Sequence, residues 1–380
     1  MTDALNPRDV LNLFGDDDQT PVERALAELR SGRAVLIEQG SEVFAVTGAE
    51  FASDELLAAM KAIGGGKLSL ILTAARLRFL GSADDQQAHA IDAATLTSAE
   101  IDDLMRQPDL DLRWPLLQAP PAAEAGLTLL RLALLLPSAL ITPVSAEITS
   151  SLNAARVSAE AVQRYAQKRR KTVSIVSRAP VPLMVARETE FVVFRGGEGL
   201  REQIAIIVGK PDPAEPVPVR LHSACITGDL FGSLRCDCGD QLRGAVKIMA
   251  EQGGGVLLYL DQEGRGNGIA NKIRAYRLQY QGLDTYEADE ALGLGADNRG
   301  FEFAAEMLRQ IGYDKVSLLT NSPEKAEALR KAGIEVADTQ RVYGRLNSEN
   351  IGYLTAKRDR AGHLVDPDKQ QPDTLAPVGK

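Results

Sequence analysis

Short, strongly apolar runs constrain this chain more than any other feature. Ala34-Val35-Leu36-Ile37, Leu68-Ser69-Leu70-Ile71-Leu72, Leu257-Leu258-Tyr259-Leu260 and Val316-Ser317-Leu318-Leu319 are each only four or five residues long. Runs of that length are too short for helices and read as buried strands. Between them the period changes. Val22, Ala25, Leu26 and Leu29 share one helical face, closed by Gly32, and helical patterns recur near 53–62, 98–105, 159–167 and 269–279. Strands alternating with helices predict an α/β protein with mixed, α+β sheets. Residues 190–194 and 203–208, separated by Gly196-Gly197-Glu198-Gly199, read as two strands paired around a turn.

With 380 residues the chain is long for one domain and comfortable for two. Hydrophobic residues at 44% and charged residues at 25% exclude disorder over most of the length, since such a chain can bury a core. The balance of 43 Lys+Arg against 52 Asp+Glu gives a net charge of -9, which argues against a nucleic-acid or anionic-membrane binder. It leaves room for a local basic pocket. The most apolar stretch, 127–140, is broken by Arg131 and Pro137 and falls short of the ~20 residues that span a bilayer. The start of the chain, Met1-Thr2-Asp3-Ala4-Leu5-Asn6, lacks the basic and apolar regions of a secretory signal, so cytoplasm is the expected compartment. The expected organisation is a flexible N-terminus over 1–18, a first domain over 19–178, a second over 179–365 and a disordered tail over 366–380. The basic run Lys168-Arg169-Arg170-Lys171 reads as the solvated end of a helix rather than a nucleic-acid patch. The first half is poor in chemistry: His89 lies in a polar stretch and Trp114, beside Pro115, reads as a packing residue.

All three cysteines fall in one segment, Cys225-Ile-Thr-Gly-Asp-Leu-Phe-Gly-Ser-Leu-Arg-Cys236-Asp-Cys238. A single free cysteine is usually a small buried hydrophobe. Clustering of every cysteine among Gly, Asp and Arg points instead to a metal, and the low, odd count excludes a disulfide framework. Three thiolates suit zinc and leave the fourth tetrahedral position open, the arrangement of a catalytic site. A fourth ligand from His222, three residues before Cys225, would make a closed structural site instead.

The strand at 257–260 runs into Asp261-Gln262-Glu263-Gly264-Arg265-Gly266-Asn267-Gly268 and then a helix, a plausible anion cradle that matches neither the Walker nor the dinucleotide pattern. Arg265, Lys272 and Arg274 follow it, and Arg220 and Arg235 flank the cysteine segment. Glu263 is placed to accept from the N–H groups of a guanine edge, or is an ordinary surface residue. Thr320 and Lys325 lie where a strand opens into a helix, a common ligand position in α/β folds, with Ser322 or Asn321 as the helix cap.

Taken together, residues 180–363 resemble GTP cyclohydrolase II. The matching segments are Arg220-Leu-His-Ser-Ala-Cys225-Ile-Thr-Gly-Asp229, Ser233-Leu-Arg-Cys236-Asp-Cys238-Gly, Gln262-Glu-Gly-Arg-Gly266, Asn271-Lys-Ile-Arg-Ala-Tyr276, Leu283-Asp-Thr285, Ala296-Asp297-Asn-Arg299 and Leu318-Leu-Thr-Asn321. The resemblance implies conversion of GTP to a ribosylaminopyrimidinone phosphate, formate and pyrophosphate, at the entry to riboflavin synthesis. It implies one Zn2+ on Cys225, Cys236 and Cys238, and Mg2+ on the polyphosphate. Asp297 matches the proton acceptor, Arg299 the proposed nucleophile and Tyr276 a residue near the metal. A guanidinium with a pKa above ~12 is an awkward nucleophile, so charge stabilisation is the competing role for Arg299. Arg220, Leu221, His222, Ser223, Ala224, Gln241, Glu263, Gly264, Arg265, Thr285, Thr320 and Lys325 match nucleotide-binding positions. A homodimer is implied as well.

There are departures: Ala224 stands where the family usually has Glu, Asp261 where a basic residue is common, Asn267 where an apolar one is, and Gly300 where an acidic one often follows. They leave open a nucleotide-binding homologue without turnover, or the same chemistry in pyrimidine catabolism. The first half resembles 3,4-dihydroxy-2-butanone 4-phosphate synthase faintly. Its Glu38-Gln39-Gly40-Ser41-Glu42 offers too few carboxylates for that enzyme's magnesium site, so a degenerate, silent domain is expected.

Overall fold

The apolar runs form strands because each is covered on both sides. In the first of them Leu36 packs into one hydrophobic cluster, with Leu70, Leu72 and Leu140, while Val35 and Ile37 pack into another, with Val46 and Ile141. Successive side chains point to opposite faces of a strand, so a sheet sandwiched between helices needs an unbroken apolar run. The computed structural model describes residues 18–82, 86–168, 173–197, 201–295 and 299–362. It divides into two units. The first takes residues up to 168 together with 267–283 and 287–296; the second takes 169–266, 284–286 and 297 onward.

The first unit is built on β1 (Val35–Gln39), β2 (Glu42–Gly48), β3 (Ser69–Leu72), β4 (His89–Asp92), β5 (Leu117–Gln118), β6 (Ala139–Val144) and β7 (Arg156–Ser158). They order as β5-β4-β3-β6-β2-β1-β7, antiparallel throughout except for the parallel pair β1–β7. Helix Gln19–Arg30 buries Val22, Ala25, Leu26 and Leu29, the face expected from their spacing. Helix Asp54–Ile63 is capped by Ser53, whose hydroxyl accepts from the Leu56 N–H, and helix Ser98–Arg106 by a Thr97–Glu100 capping box.

The second unit is built on β8 (Val173–Pro180), β9 (Thr189–Gly196), β10 (Glu202–Gly209), β11 (Val217–Ser223), β12 (Gly254–Leu260), β13 (Lys315–Leu319) and β14 (Glu335–Gln340). Their order is β14-β13-β11-β12-β10-β9-β8. Pairings from β14 to β12 are parallel and those from β12 to β8 antiparallel, so both sheets are mixed. Helix Cys238–Glu251 makes the crossover from β11 to β12, and Glu302–Gln310 precedes β13. Parallel strands linked this way present their C-terminal ends on one edge, where α/β folds bind ligands.

Two expectations shift. β8 already pairs with β9 from Val173, so the second sheet starts ahead of the boundary placed after residue 178. Helix Gly268–Tyr280 forms as expected but folds with the first unit. The N-terminal residues 1–17, the tail beyond 362 and residues 169–172 of the basic run lie outside the described residues. Among the described residues no helix is long and apolar enough to cross a membrane.

Candidate functional site

Strand β11 delivers the first side chains by alternation. Val219 and Leu221 enter the hydrophobic core, while the buried Arg220 and His222 face the other way. The chain then turns at Cys225 into the one-turn helix Ile226–Asp229. The Asp229 carboxylate ties that turn to its surroundings. It accepts from the Cys225 N–H at 2.9 Å, the Tyr259 hydroxyl at 3.1 Å and His222 Nε2 at 3.0 Å. Arg220 Nε donates to His222 Nδ1 at 3.4 Å, which leaves the imidazole hydrogen on Nε2. Burial holds the His222 pKa below its usual value, so the ring is neutral, stacked 5.6 Å from Tyr259. With both ring nitrogens engaged, His222 is an orienting residue and not a fourth ligand.

The thiols of Cys225, Cys236 and Cys238 lie within 4.8 Å of one another, and the Cys225 and Cys236 sulfurs are 3.6 Å apart. Four sulfurs around zinc at ~2.3 Å would be separated by roughly 3.8 Å, so the spacing fits that ion. Hydrogen bonding from the Cys225 thiol, reinforced by burial, pushes the Cys236 thiol up to about 11 and raises Cys238 as well. Such crowding disfavours ionisation until a cation offsets it. The backbone leaves room for one: a Cβ on Gly228 would stand 2.7 Å from the Cys236 sulfur and 3.2 Å from that of Cys225. Only glycine keeps the space between the thiols open. Among the described residues the cysteine trio is the group of three or more such side chains positioned to hold a metal ion.

Cations gather beside it on the strand ends. Arg220 donates to the Leu319 carbonyl at 3.2 Å and to Gln241 Oε1 at 2.6 Å; Gln241 in turn donates to Asp237. Lys325 Nζ donates to the Leu221 carbonyl at 2.6 Å, and Arg299 Nη1 to Ser223 Oγ at 3.3 Å. Both cations lie over the ring of Phe301, at 5.3 and 5.4 Å. Ser223 Oγ donates to Gln262, which donates to the Gly300 carbonyl. The Ala224 N–H is committed to the Leu260 carbonyl.

The Gly-rich loop takes a run of left-handed residues, with φ of 61° at Gly264, 59° at Arg265 and 85° at Gly266. For the arginine that conformation is strained by ~1–3 kcal/mol, the kind of strain that concentrates at ligand sites. Its guanidinium lies 4.4 Å over the Tyr286 ring and donates to the Thr285 carbonyl at 3.2 Å. The Glu263 carboxylate accepts from the Ile226 N–H at 2.6 Å and the Gly264 N–H at 3.1 Å, and so joins this loop to the Cys225 turn. Thr320 Oγ1 accepts from the Ser322 N–H at 3.1 Å. The expected helix cap is not made: Ser322 caps nothing with its side chain, and Asn321 pairs with the Val342 backbone instead.

Thus Arg220 to Cys225, Cys236, Cys238, Gln241, Glu263 to Arg265, Thr285, Arg299, Thr320 and Lys325 all fall in the second unit. Tyr276 belongs to the first, where Lys272 Nζ lies 5.7 Å from its ring. Asp297 lies outside the described residues. Sequence reasoning passed over Asp229, Tyr259, Gln262 and Phe301. Asp229 offered one signal, a carboxylate four residues after a cysteine.

Residues 174–342 match the family model of GTP cyclohydrolase II. The GTP cyclohydrolase-2 of Xylella fastidiosa (strain Temecula1) is 44% identical over 360 residues, covering 93% of this chain and 90% of that protein. The chain belongs to the GTP cyclohydrolase II family. The GTP cyclohydrolase-2 of Azospirillum brasilense is 40% identical, covering 96% of this chain and 98% of its own, so likeness to members of the GTP cyclohydrolase II family runs through both halves. Among solved structures, RibBX, a two domain 3,4-dihydroxy-2-butanone 4-phosphate synthase from A. baumannii, is 18% identical with a TM-score of 0.33, covering 85% of this chain and 99% of that one. A likeness that weak fixes no fold.

Proposed function

We propose that the chain is a zinc-dependent GTP cyclohydrolase II of riboflavin synthesis, converting GTP and water to 2,5-diamino-6-ribosylamino-4(3H)-pyrimidinone 5′-phosphate, formate and pyrophosphate. The observation that carries this reading is the thiol trio, opened by Gly228 and set beside clustered cations at the ends of parallel strands. Cys225, Cys236 and Cys238 would hold Zn2+, which when bound supplies a Lewis acid and water acidified to a pKa of ~7.

The chain's own residues do the rest. Asp229 fixes Cys225 through its backbone amide and orients His222 by accepting from Nε2, while burial favours the neutral ring. Lys325 and Arg299, carried over Phe301, provide charge for a triphosphate, with Mg2+ on the polyphosphate offsetting the charge that leaves as pyrophosphate. Arg299 remains protonated at neutral pH, which favours stabilising charge at the α-phosphorus over attacking it. Asp297 is assigned the role of proton acceptor, and Tyr276 that of orienting water or the leaving group. Arg220, Gln241 and Glu263 hold the strand ends and the loop in register beneath the nucleotide.

Incubation of zinc-loaded protein with GTP and Mg2+ should release formate and the pyrimidine product, and Cys236→Ser should lose both metal and ring opening. No formate from fully loaded protein would leave a nucleotide-binding homologue without turnover. The N-terminal half reads as a silent synthase-like domain, because Glu38 and Glu42 are exposed and flank a hairpin turn at Gly40. Formation of dihydroxybutanone phosphate from ribulose 5-phosphate and Mg2+ would overturn that.

A further inference from the structure

Part of the family region folds with the first unit rather than the second. Helix Gly268–Tyr280 and residues 287–296 lie inside the 174–342 match yet belong to the unit built on β1–β7. Their fit to the N-terminal half is close. Ala275, Leu278, Ala288, Ala291 and Leu292 form one apolar cluster with Leu136. A Cβ on Gly268 would stand 3.1 Å from the Leu134 side chain, and one on Gly293 2.7 Å from Thr73 Oγ1. The Thr73 hydroxyl donates to the Gly293 carbonyl at 2.8 Å.

Two charged anchors reinforce the fit. Arg76 is fully buried and donates from Nη1 to the Ala291 carbonyl at 2.6 Å, at the C-terminus of helix Thr285–Ala291. Its Nε and Nη2 reach the Leu104 and Gln107 carbonyls at 2.9 and 2.7 Å, at the end of helix Ser98–Arg106. Helix C-termini carry partial negative charge, so two of them answer one guanidinium. The second anchor is Glu50. Its carboxylate accepts from the Leu136 N–H at 2.8 Å and from Arg274 Nη1 and Nη2 at 3.4 and 3.3 Å. Arg274 also donates to Asn271 Oδ1 at 2.6 Å, and the Asn271 amide reaches the Leu134 carbonyl at 3.3 Å. The pair is shielded, with side-chain exposures of 27% for Arg274 and 10% for Glu50, so it is screened less than a surface ion pair.

The geometry points to Glu50 as a positioning residue of the N-terminal half, which grips Arg274 and thereby fixes helix Gly268–Tyr280, the helix that carries Tyr276. This rests on the reading that Tyr276 serves the reaction. Glu50 is a positioning residue, because it acts through the helix and touches no substrate.

The test uses the full chain with Glu50→Gln, which keeps one acceptor oxygen for the Leu136 N–H and removes the charge and the second acceptor that Arg274 uses. Amide exchange over 268–280 should quicken about tenfold, and kcat for GTP should fall about tenfold from the misplaced helix. The KM for GTP and the zinc content should stay within about twofold, since their ligands lie elsewhere. Arg274→Gln should give the same losses, and the double variant no more than either single one. Unchanged exchange and kcat in Glu50→Gln, or losses that multiply in the double variant, would overturn the proposal. Were wild-type protein to release no formate, the cyclohydrolase reading would fail, and the exchange of 268–280 would still decide whether Glu50 grips the helix.

Discussion

Gly228→Ala separates the metal site from the fold beneath it. The added Cβ would meet the Cys236 sulfur at 2.7 Å and the Cys225 sulfur and Cys238 Cβ at 3.2 Å. Ordinary contact between such atoms is ~3.5–4.0 Å, so the first contact is short by roughly 1 Å. A cysteine side chain relieves that by rotating about one bond, which carries its sulfur out of the trio at little cost to the backbone. At an unobstructed helical site the same exchange would stabilise by ~1 kcal/mol, so the metal-free protein should melt close to wild type. Zinc affinity should fall by ~100-fold or more, since disturbing only the groups that orient a metal ligand already costs roughly 10–100-fold, and ~100-fold is ~2.7 kcal/mol. Competition against a chromophoric chelator measures the affinity, and thermal melting in excess chelator measures the fold. Zinc bound within threefold of wild type would refute the argument, and so would a metal-free protein that no longer folds.

Three further outcomes follow from the site. Arg299→Ala should lower turnover by at least ~100-fold with zinc fully retained, because its guanidinium donates to Ser223 and lies over Phe301 and a guanidinium is no metal ligand; metal loss on plasma emission analysis would contradict the assigned role. Asp229→Ala strands the Cys225 N–H, the Tyr259 hydroxyl and His222 Nε2 without their acceptor, at ~1–3 kcal/mol each. Urea unfolding should show a loss of about 3–5 kcal/mol, and a loss under ~1 kcal/mol would mean that the carboxylate does not hold the turn. Arg265→Gly removes a side chain from a left-handed backbone at φ 59° and should leave stability level or higher by ~1 kcal/mol, while KM for GTP rises about tenfold. A clear drop in melting temperature would show that Arg265 serves the fold, not the ligand.

The strands were legible because burial on two faces demands unbroken apolar runs, and the helix of Val22 to Leu29 because one-sided burial demands a period near four. The thiol trio was legible because unlike a core cysteine it kept glycines, an aspartate and an arginine as company. Asp229 was not, since Thr-Gly-Asp reads as an ordinary turn until the fold brings Tyr259 against it. Nor was the allegiance of helix Gly268–Tyr280. Its periodicity announces a helix, but the partner of Arg274 is Glu50, 224 residues earlier, and no local pattern spans that distance. A cap by Asn321 failed for a related reason: the Val342 backbone, 21 residues later, takes up both ends of its amide.

Arg76 shows how an enzyme's tolerance to substitution can be set far from its chemistry. One planar fork serves carbonyls at the ends of two helices from separate parts of the chain. A lysine there would bring a single nitrogen at the tip of a flexible stem, unable to span the carbonyls, and would surrender its proton more readily once buried. A neutral side chain would leave the helix ends unanswered in the dark of the core. Position 76 is therefore closed to the exchange most often accepted for an arginine. In a survey of all single substitutions it should stand out as sharply as the thiols.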